Sequence, residues 1–431
     1  MKKTLRLQIG IIFFTLNISA QENKEISNDS LFKYIVSLKN EVNELKKHKP
    51  KSQPYFSYKN GLGFSTPDSS YSVNIRFRMQ NRFLMNTKDE EHLETGSWEA
   101  RVRRCRLSFT GHVLNPKWNY YLQLSFSRGD MDWSDADAST QNTSPNVVRD
   151  AMIFYKPIKN LQLALGQGKL PGNRQRMISS GAQQFYDRSI VNATFTADRD
   201  FGIFANYKSK LGKTFTILSK IAITSGEGRN SVISNTGLAY TGRIELLPLG
   251  EFTDGGDYFE GDLAREEKPK ISIAGGYHFN DLAVRTGGQL GKDLLATRSF
   301  NVYFGEFLMK YKGISLSSEY IRRDTEGSPI ITGSDGKNRI IITGDGINNQ
   351  LSYCFKNMIE IAIRHSLITP HKDIYSKARE IEQYGIGISK YLNKHKLKVQ
   401  TNLFYNRERD LSLFQNHNNY FFGVFQIELG I

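Results

Sequence analysis

From Tyr71 to Met85 the chain alternates with a period of two. Val73, Ile75, Phe77, Met79, Phe83 and Met85 share one parity, and Asn74, Arg76, Arg78, Gln80 and Arg82 share the other. Successive side chains of a strand point to opposite faces, so one face of this segment is apolar and the other carries a row of guanidinium groups. Two environments suit such a strand. A soluble sandwich buries the apolar face and leaves the charges in water; a transmembrane barrel turns the apolar face to lipid and the charges to a pore.

The pattern recurs along the chain. Trp118, Tyr120, Leu122, Leu124 and Phe126 alternate with Asn119, Tyr121, Gln123 and Ser125; Leu161, Leu163 and Leu165 follow. Phe215, Ile217, Ile221 and Ile223 share a parity opposite Lys220, and Ile359, Ile361 and Ile363 oppose Glu360 and Arg364. The chain ends with Phe421, Phe425, Ile427, Leu429 and Ile431 on one face. About sixteen such segments of roughly ten residues are present, the length that a tilted membrane strand needs. Tight turns at 115–117, 157–160, 210–213 and 393–395 interleave with longer polar loops at 86–97, 128–146, 169–199, 324–345 and 406–418. Short turns at one rim and long loops at the other are the habit of outer-membrane barrels. The stretch 248–268 breaks the rule, being long where a short turn is due. It is either an extended turn or the sign of a miscounted strand.

Ahead of the strands the period changes. Leu31, Ile35, Leu38, Val42 and Leu45 are spaced as a heptad seam, which predicts a short helix over about residues 26–48. So few heptads are marginal alone, but an oligomer supplies the local concentration that a coiled coil requires. Packing on the rest of the chain is the other reading. His48 to Pro54 reads as a linker. Lys2, Lys3 and Arg6 before the apolar run Ile9–Leu16, with Ala20 closing the segment, read as a secretory signal. The expected organisation is therefore a signal peptide at 1–20, a periplasmic coiled-coil helix and linker at 21–54, and an all-β transmembrane antiparallel barrel at 55–431.

Composition narrows the choice. There are 36 Gly, 11 Pro, 21 Tyr and 27 Phe, which suits many strands and turns. The formal net charge of +15 falls to +12 once Lys2, Lys3 and Arg6 are removed. A basic exported protein attracts anions. Cys105 and Cys354 read as small strand residues; nothing in their spacing demands a bridge. The eight histidines show no zinc spacing. Asp130, Asp132, Ser134, Asp135 and Asp137 echo a calcium loop, but Asp135 stands where glycine is needed and Gln141 where glutamate is needed. No nucleophile elbow or P-loop is present, and no cofactor or nucleic-acid partner is implied.

The candidate chemistry lies on the polar face. An anion entering a narrow pore loses hydration, and rings of Arg or Lys replace it while repelling cations. Arginine adds a planar fork of donors that matches phosphate oxygens. Arg76, Arg78 and Arg82 on the first strand and Arg104 and Arg106 on the second are the candidates. Arg101 and Arg103 have the opposite parity and are expected near the extracellular rim; like charges this close need acids nearby, and Glu99 or Asp150 is expected to pair some of these arginines. The plainer reading of these arginines is a salt-bridge network bracing the wall.

The run Trp98-Glu-Ala-Arg-Val-Arg-Arg-Cys-Arg-Leu-Ser-Phe-Thr-Gly111 and the following Asn115-Pro-Lys-Trp-Asn-Tyr-Tyr-Leu-Gln-Leu124 resemble the second strand and its successor in the phosphate-selective porin family, porins O and P. Val148-Arg-Asp-Ala151, Leu165-Gly-Gln-Gly-Lys-Leu-Pro171, Phe185-Tyr-Asp-Arg-Ser189 and Asp198-Arg-Asp-Phe-Gly202 continue the likeness, as does 311–322. The resemblance implies a sixteen-stranded trimeric barrel in the outer membrane of a Gram-negative bacterium, a third loop folded into the pore, and passive diffusion of small anions of the phosphate class. It makes Lys169 and Arg188 the best constriction candidates, with Arg174 and Arg176 beside them. The central and C-terminal strands depart from the family's basic ladder in keeping fewer basic residues, with Lys220, Arg243, Arg364 and Lys398 as scattered candidates. The competing reading is a structural or adhesion barrel that conducts nothing; behind it stand a barrel-embedded enzyme and a soluble basic sandwich.

Overall fold

The structure, a computed structural model, describes residues 28–47, 54–58, 61–127, 147–231, 235–333 and 336–431. The signal reading, most of the linker and the acidic stretch 130–137 fall outside these residues. The chain divides into two compact units, 1–53 and 54–431. In the first, Asn28–Lys47 forms the predicted helix, α1, with Asp29 in its positive first turn. Ile35, Leu38 and Val42 of its seam are exposed.

The second unit is a sixteen-stranded antiparallel barrel. Its strands are β1 (Ser72–Thr87), β2 (Thr95–Val113), β3 (Asn115–Ser125), β4 (Val148–Ile158), β5 (Leu161–Lys169), β6 (Arg199–Leu211), β7 (Phe215–Thr224) and β8 (Ala239–Leu247). They continue as β9 (Lys270–Arg285), β10 (Asp293–Tyr311), β11 (Ile314–Thr325), β12 (Gly344–Cys354), β13 (Ile359–Pro370), β14 (Glu380–Asn393), β15 (Leu397–Asp410) and β16 (Tyr420–Gly430). Each strand pairs with the next, and β16 closes on β1 from Phe422↔Asn86 to Gly430↔Arg78. Closure leaves no open edge, the one condition under which strands cross a bilayer. The lower end of β1 pairs instead with Leu62–Ser65, part of a small hairpin with Tyr55–Ser57.

The apolar parity faces outward. Ile153, Ile203, Ile221, Ile244, Ile363 and Leu403 are among the most exposed large side chains, as lipid contact requires. Outward Tyr240, Tyr277, Tyr303, Tyr320 and Tyr384 mark the long-loop side on β8–β14. They form a girdle of rings at the membrane–water boundary.

Between β1 and β2 a register shift breaks the period-two reading. Gln80 pairs with Arg104 but Asn81 pairs with Val102, so Arg103 is an extra residue in a β-bulge. Beyond it the parity of β2 inverts. Arg101 now stands opposite inward Arg82, and Arg103 bonds to a residue inside the lumen. The expectation that both lie outside the pore face is corrected: a single inserted residue turns them inward.

Among the described residues, two connections enter the barrel. Residues 170–198 come in from the long-loop end and carry two short helical turns, Arg174–Met177 and Ile190–Phe195. Residues 248–269 come in from the short-turn end, which settles the question left by this stretch: no strand is miscounted, and the turn folds into the lumen. The two meet there, where Glu260 N donates to Ala182 O at 2.8 Å and Gln184 N donates to Glu260 Oε2 at 2.8 Å.

Candidate functional site

The lumen has two unlike sides. On β8–β12 the inward parity supplies carboxylates, and the inward loop brings cations to them. Arg174 donates to Glu245 Oε1 at 2.7 Å, to Ser272 Oγ at 2.6 Å and to Asp257 O at 2.8 Å. Its own backbone N–H reaches Glu306 Oε1 at 2.6 Å, and Gln175 N reaches Glu319 Oε1 at 2.8 Å. Arg243 holds Glu306 with two bonds of 2.9 and 2.6 Å and also donates to Gly172 O. On the neighbouring wall Lys398 lies 3.3 Å from Glu428 and donates to Gln183 O at 2.7 Å. Bidentate, desolvated pairs of this kind are strongly directional, so they position the loop as well as neutralise the wall. The space left between Arg174, Glu260, Glu306 and Glu319 is a cavity of only about 20 Å³. Apolar contacts complete the docking, with Phe185 against Phe404 at 5.5 Å between ring centroids and Phe195 buried beside Phe300 and Ile321.

On β1–β7 the wall is basic and the lumen stays open. Arg106, Lys169, Arg199 and Lys220 line a cavity of about 380 Å³ with Tyr121, Asp150, Ser180 and Tyr258. Tyr121 and Phe154 also border a second cavity of about 510 Å³, which reaches Lys156 and the Tyr55–Ser57 hairpin at the short-turn end. A third, of about 220 Å³, joins Lys156 and Lys159 to Lys220.

All nine candidate residues lie in the barrel's interior, but in different states. Arg76 is exposed in the lumen and, among the described residues, has no ion pair. Arg78 donates to Ser180 Oγ at 2.8 Å and lies 3.6 Å from Glu428. Arg106 donates to Ser180 Oγ at 3.0 Å. Arg104 bridges Gln80 and Asp187, each at 2.8 Å. Arg82 reaches Glu99 at 3.2 Å, lies 3.6 Å from Asp187 and sits over the Tyr186 ring. Lys169 donates to the carbonyls of Met177 and Ile178 at 2.9 and 3.0 Å, and Arg188 donates to those of Gln175 and Ile178 at 2.8 and 2.7 Å. Arg176 is buried against Asp198. Arg174 belongs to the acidic side, where it fastens the loop rather than facing the open cavities.

Asp187 organises the upper part of the basic side. Its carboxylate is shared by Arg103 and Arg104 at 3.0 and 2.8 Å. Burial pushes this carboxyl toward its neutral form, but the guanidiniums of Arg104 and Arg103 outweigh that and hold it well below the usual carboxylate range. The acids that clamp the loop were missed in the sequence. Glu245 shares a parity with Arg243, and Glu306 alternates with Gly305 and apolar Phe307, so inward placement was readable. The partners were not, because they arrive from loops distant in sequence.

Residues 73–249 match the phosphate-selective porin O and P family. No curated protein sequence matches the chain. Among solved structures, a loop-deletion mutant of OmpT from Vibrio cholerae aligns with a TM-score of 0.52 at 9% identity, covering 84% of this chain and 100% of that one. The outer-membrane channel DcaP of Acinetobacter baumannii aligns at 0.51 and 10%, covering 86% and 100%. OprB of Pseudomonas putida aligns at 0.51 and 11%, covering 83% and 94%. At these identities the likeness is one of fold.

Proposed function

We propose that this outer-membrane porin, whose residues 73–249 belong to the phosphate-selective porin O and P family, passes small anions along the basic side of its lumen, phosphate and phosphorylated solutes first among them. One observation carries the reading. The inward acids of β8–β12 are spent on clamping the loop, while the open cavities are bordered by Arg106, Lys156, Lys169, Arg199 and Lys220. An anion in such a channel meets fixed positive charge at each step and few exposed carboxylates. Because most of these cations already bond to the protein, they act more by field than by direct ligation; Lys156, and Arg76 on β1, make no ion pair among the described residues and can touch a passing anion. The exposed seam of α1 favours self-association, and a homotrimer is the proposed assembly.

The test is single-channel recording from the full-length protein in planar bilayers under a salt gradient, with chloride, phosphate and a sugar phosphate. Anion-directed reversal potentials are expected. Cation selectivity overturns the reading, and absence of channels favours a structural barrel.

A further inference from the structure

Turns at the short-turn end of this barrel are brief: 159–160, 212–214, 312–313, 355–358 and 394–396. The 248–269 turn is the exception, and it is firmly held. Lys310 Nζ donates to Gly256 O and to Phe259 O, each at 2.7 Å. Glu266 Oε1 accepts from Thr253 N at 2.6 Å, and Asp262 Oδ2 accepts from Gly313 N at 2.7 Å. Glu260 ties the far end to the inward loop. A segment anchored to β10, to the turn after it and to the opposing loop is a fixed part of the lumen.

Tyr258 is what this turn presents to the open side. Its ring borders the same cavity as Arg106, Lys169, Arg199 and Lys220. Lys220 Nζ sits 4.3 Å from the ring centroid and donates to the phenol oxygen. The phenol in turn donates to Glu245 Oε2 at 2.9 Å. The ring therefore stands between the last cation of the basic side and the first carboxylate of the acidic side. Removing it would open Glu245, which Arg174 already engages, to the conduit and let the Lys220 ammonium turn toward that carboxylate and away from a passing anion.

We infer that Tyr258, delivered from the short-turn end, is a second specificity-determining constriction: it narrows the conduit, screens Glu245 from it and holds the Lys220 ammonium toward it. This inference rests on the anion-conduit reading. It adds to that reading a selectivity element outside the 170–198 loop, on a turn that no resemblance pointed to.

The experiment compares wild type, Tyr258→Ala, Tyr258→Phe and Lys220→Gln, each as full-length protein in planar bilayers with potassium chloride gradients. Tyr258→Ala is expected to raise conductance and lower the anion-to-cation permeability ratio about twofold, the scale of one charge at channel distance in water. Lys220→Gln should lower the ratio similarly without raising conductance. If the wild type is not anion-selective, the parent reading fails. If the wild type is anion-selective and Tyr258→Ala matches it in both measures, the parent stands and this inference is overturned. Should Tyr258→Ala not fold, Tyr258→Phe decides. It keeps the ring and loses both hydrogen bonds, so a lowered ratio at unchanged conductance supports the inference and an unchanged ratio overturns it.

Discussion

Arg104 on the barrel wall donates through Nη2 to Oδ1 of Asp187, 2.8 Å away on the inward loop. The bond joins two residues 83 positions apart, one delivered by a strand and the other by a connection that has crossed the lumen. Because Arg103 takes the second oxygen at 3.0 Å, one carboxylate is shared by both sides of a β-bulge. Replacing Asp187 by Asn therefore removes one shared negative charge from two inward arginines. The loop should lose about 2 kcal/mol of anchoring, the worth of hydrogen bonds to charged groups. Anion selectivity should rise as a fixed negative charge is lost from the lumen. Channel recordings are expected to show more frequent closures together with a reversal potential shifted toward the anion limit.

The same carboxylate sets a pH response. Its pKa in the docked loop is held below the value for a free Asp, about 3.9. A group depressed in this way contributes docking stability that is fully present above the free value and is lost as pH falls through the docked one. Closure frequency should thus be flat from pH 7 down to about 4 and rise below it, and Asp187→Asn should remove that acid-side rise. A wild-type rise centred near pH 6 would point to a histidine instead.

Arg76 and Lys156 make no ion pair among the described residues, so neutralising either tests its action on a passing anion without breaking a structural pair. A unit charge at ~8 Å in water is worth about 0.5 kcal/mol, or roughly a twofold change in permeability ratio. Arg76→Gln and Lys156→Gln should each lower anion selectivity by that amount, with heat-modifiable gel mobility unchanged. An unchanged reversal potential in both would remove the short-turn half of the basic side from the path.

Arg243 and Glu306 are a buried pair, with side chains 0% and 1% exposed. Breaking such a pair by removing one partner costs about 3–5 kcal/mol, because the other charge is left in a low-dielectric site. Glu306→Ala also strips an acceptor from the Arg174 backbone. Urea unfolding in detergent should show it strongly destabilised. Arg76→Gln is the matched control and should not be.

Ile35, Leu38 and Val42 are exposed on α1. Replacing Leu38 and Val42 by Asp should weaken the assembly if α1 pairs between chains, read as loss of the oligomer band at low detergent or as a smaller mass by light scattering. An unchanged oligomer would confine the assembly contacts to the barrel.

The sequence by itself determined the strand count, the closed-barrel class and which side of most strands meets lipid. Alternation is a local property, and lipid outside with water inside enforces it strand by strand, as Val73 to Phe77 and Ile359 to Ile363 show. It also marked 248–268 as anomalous, since loop length is visible without coordinates. Three things were decided only in three dimensions. The bulge at Arg103 reverses parity, and a single extra residue leaves no signature in an arginine-rich run. Arg174 and Arg176 are tied down by Glu245, Glu306 and Asp198, so their spacing in the loop did not reveal their role. The division of the lumen into a clamped acidic side and an open basic side arises because segments 170–198 and 248–269 meet at Glu260. Which charges remain free to act on a solute depends on pairings between residues tens to hundreds of positions apart, and those are fixed by closure of the barrel, not by local pattern.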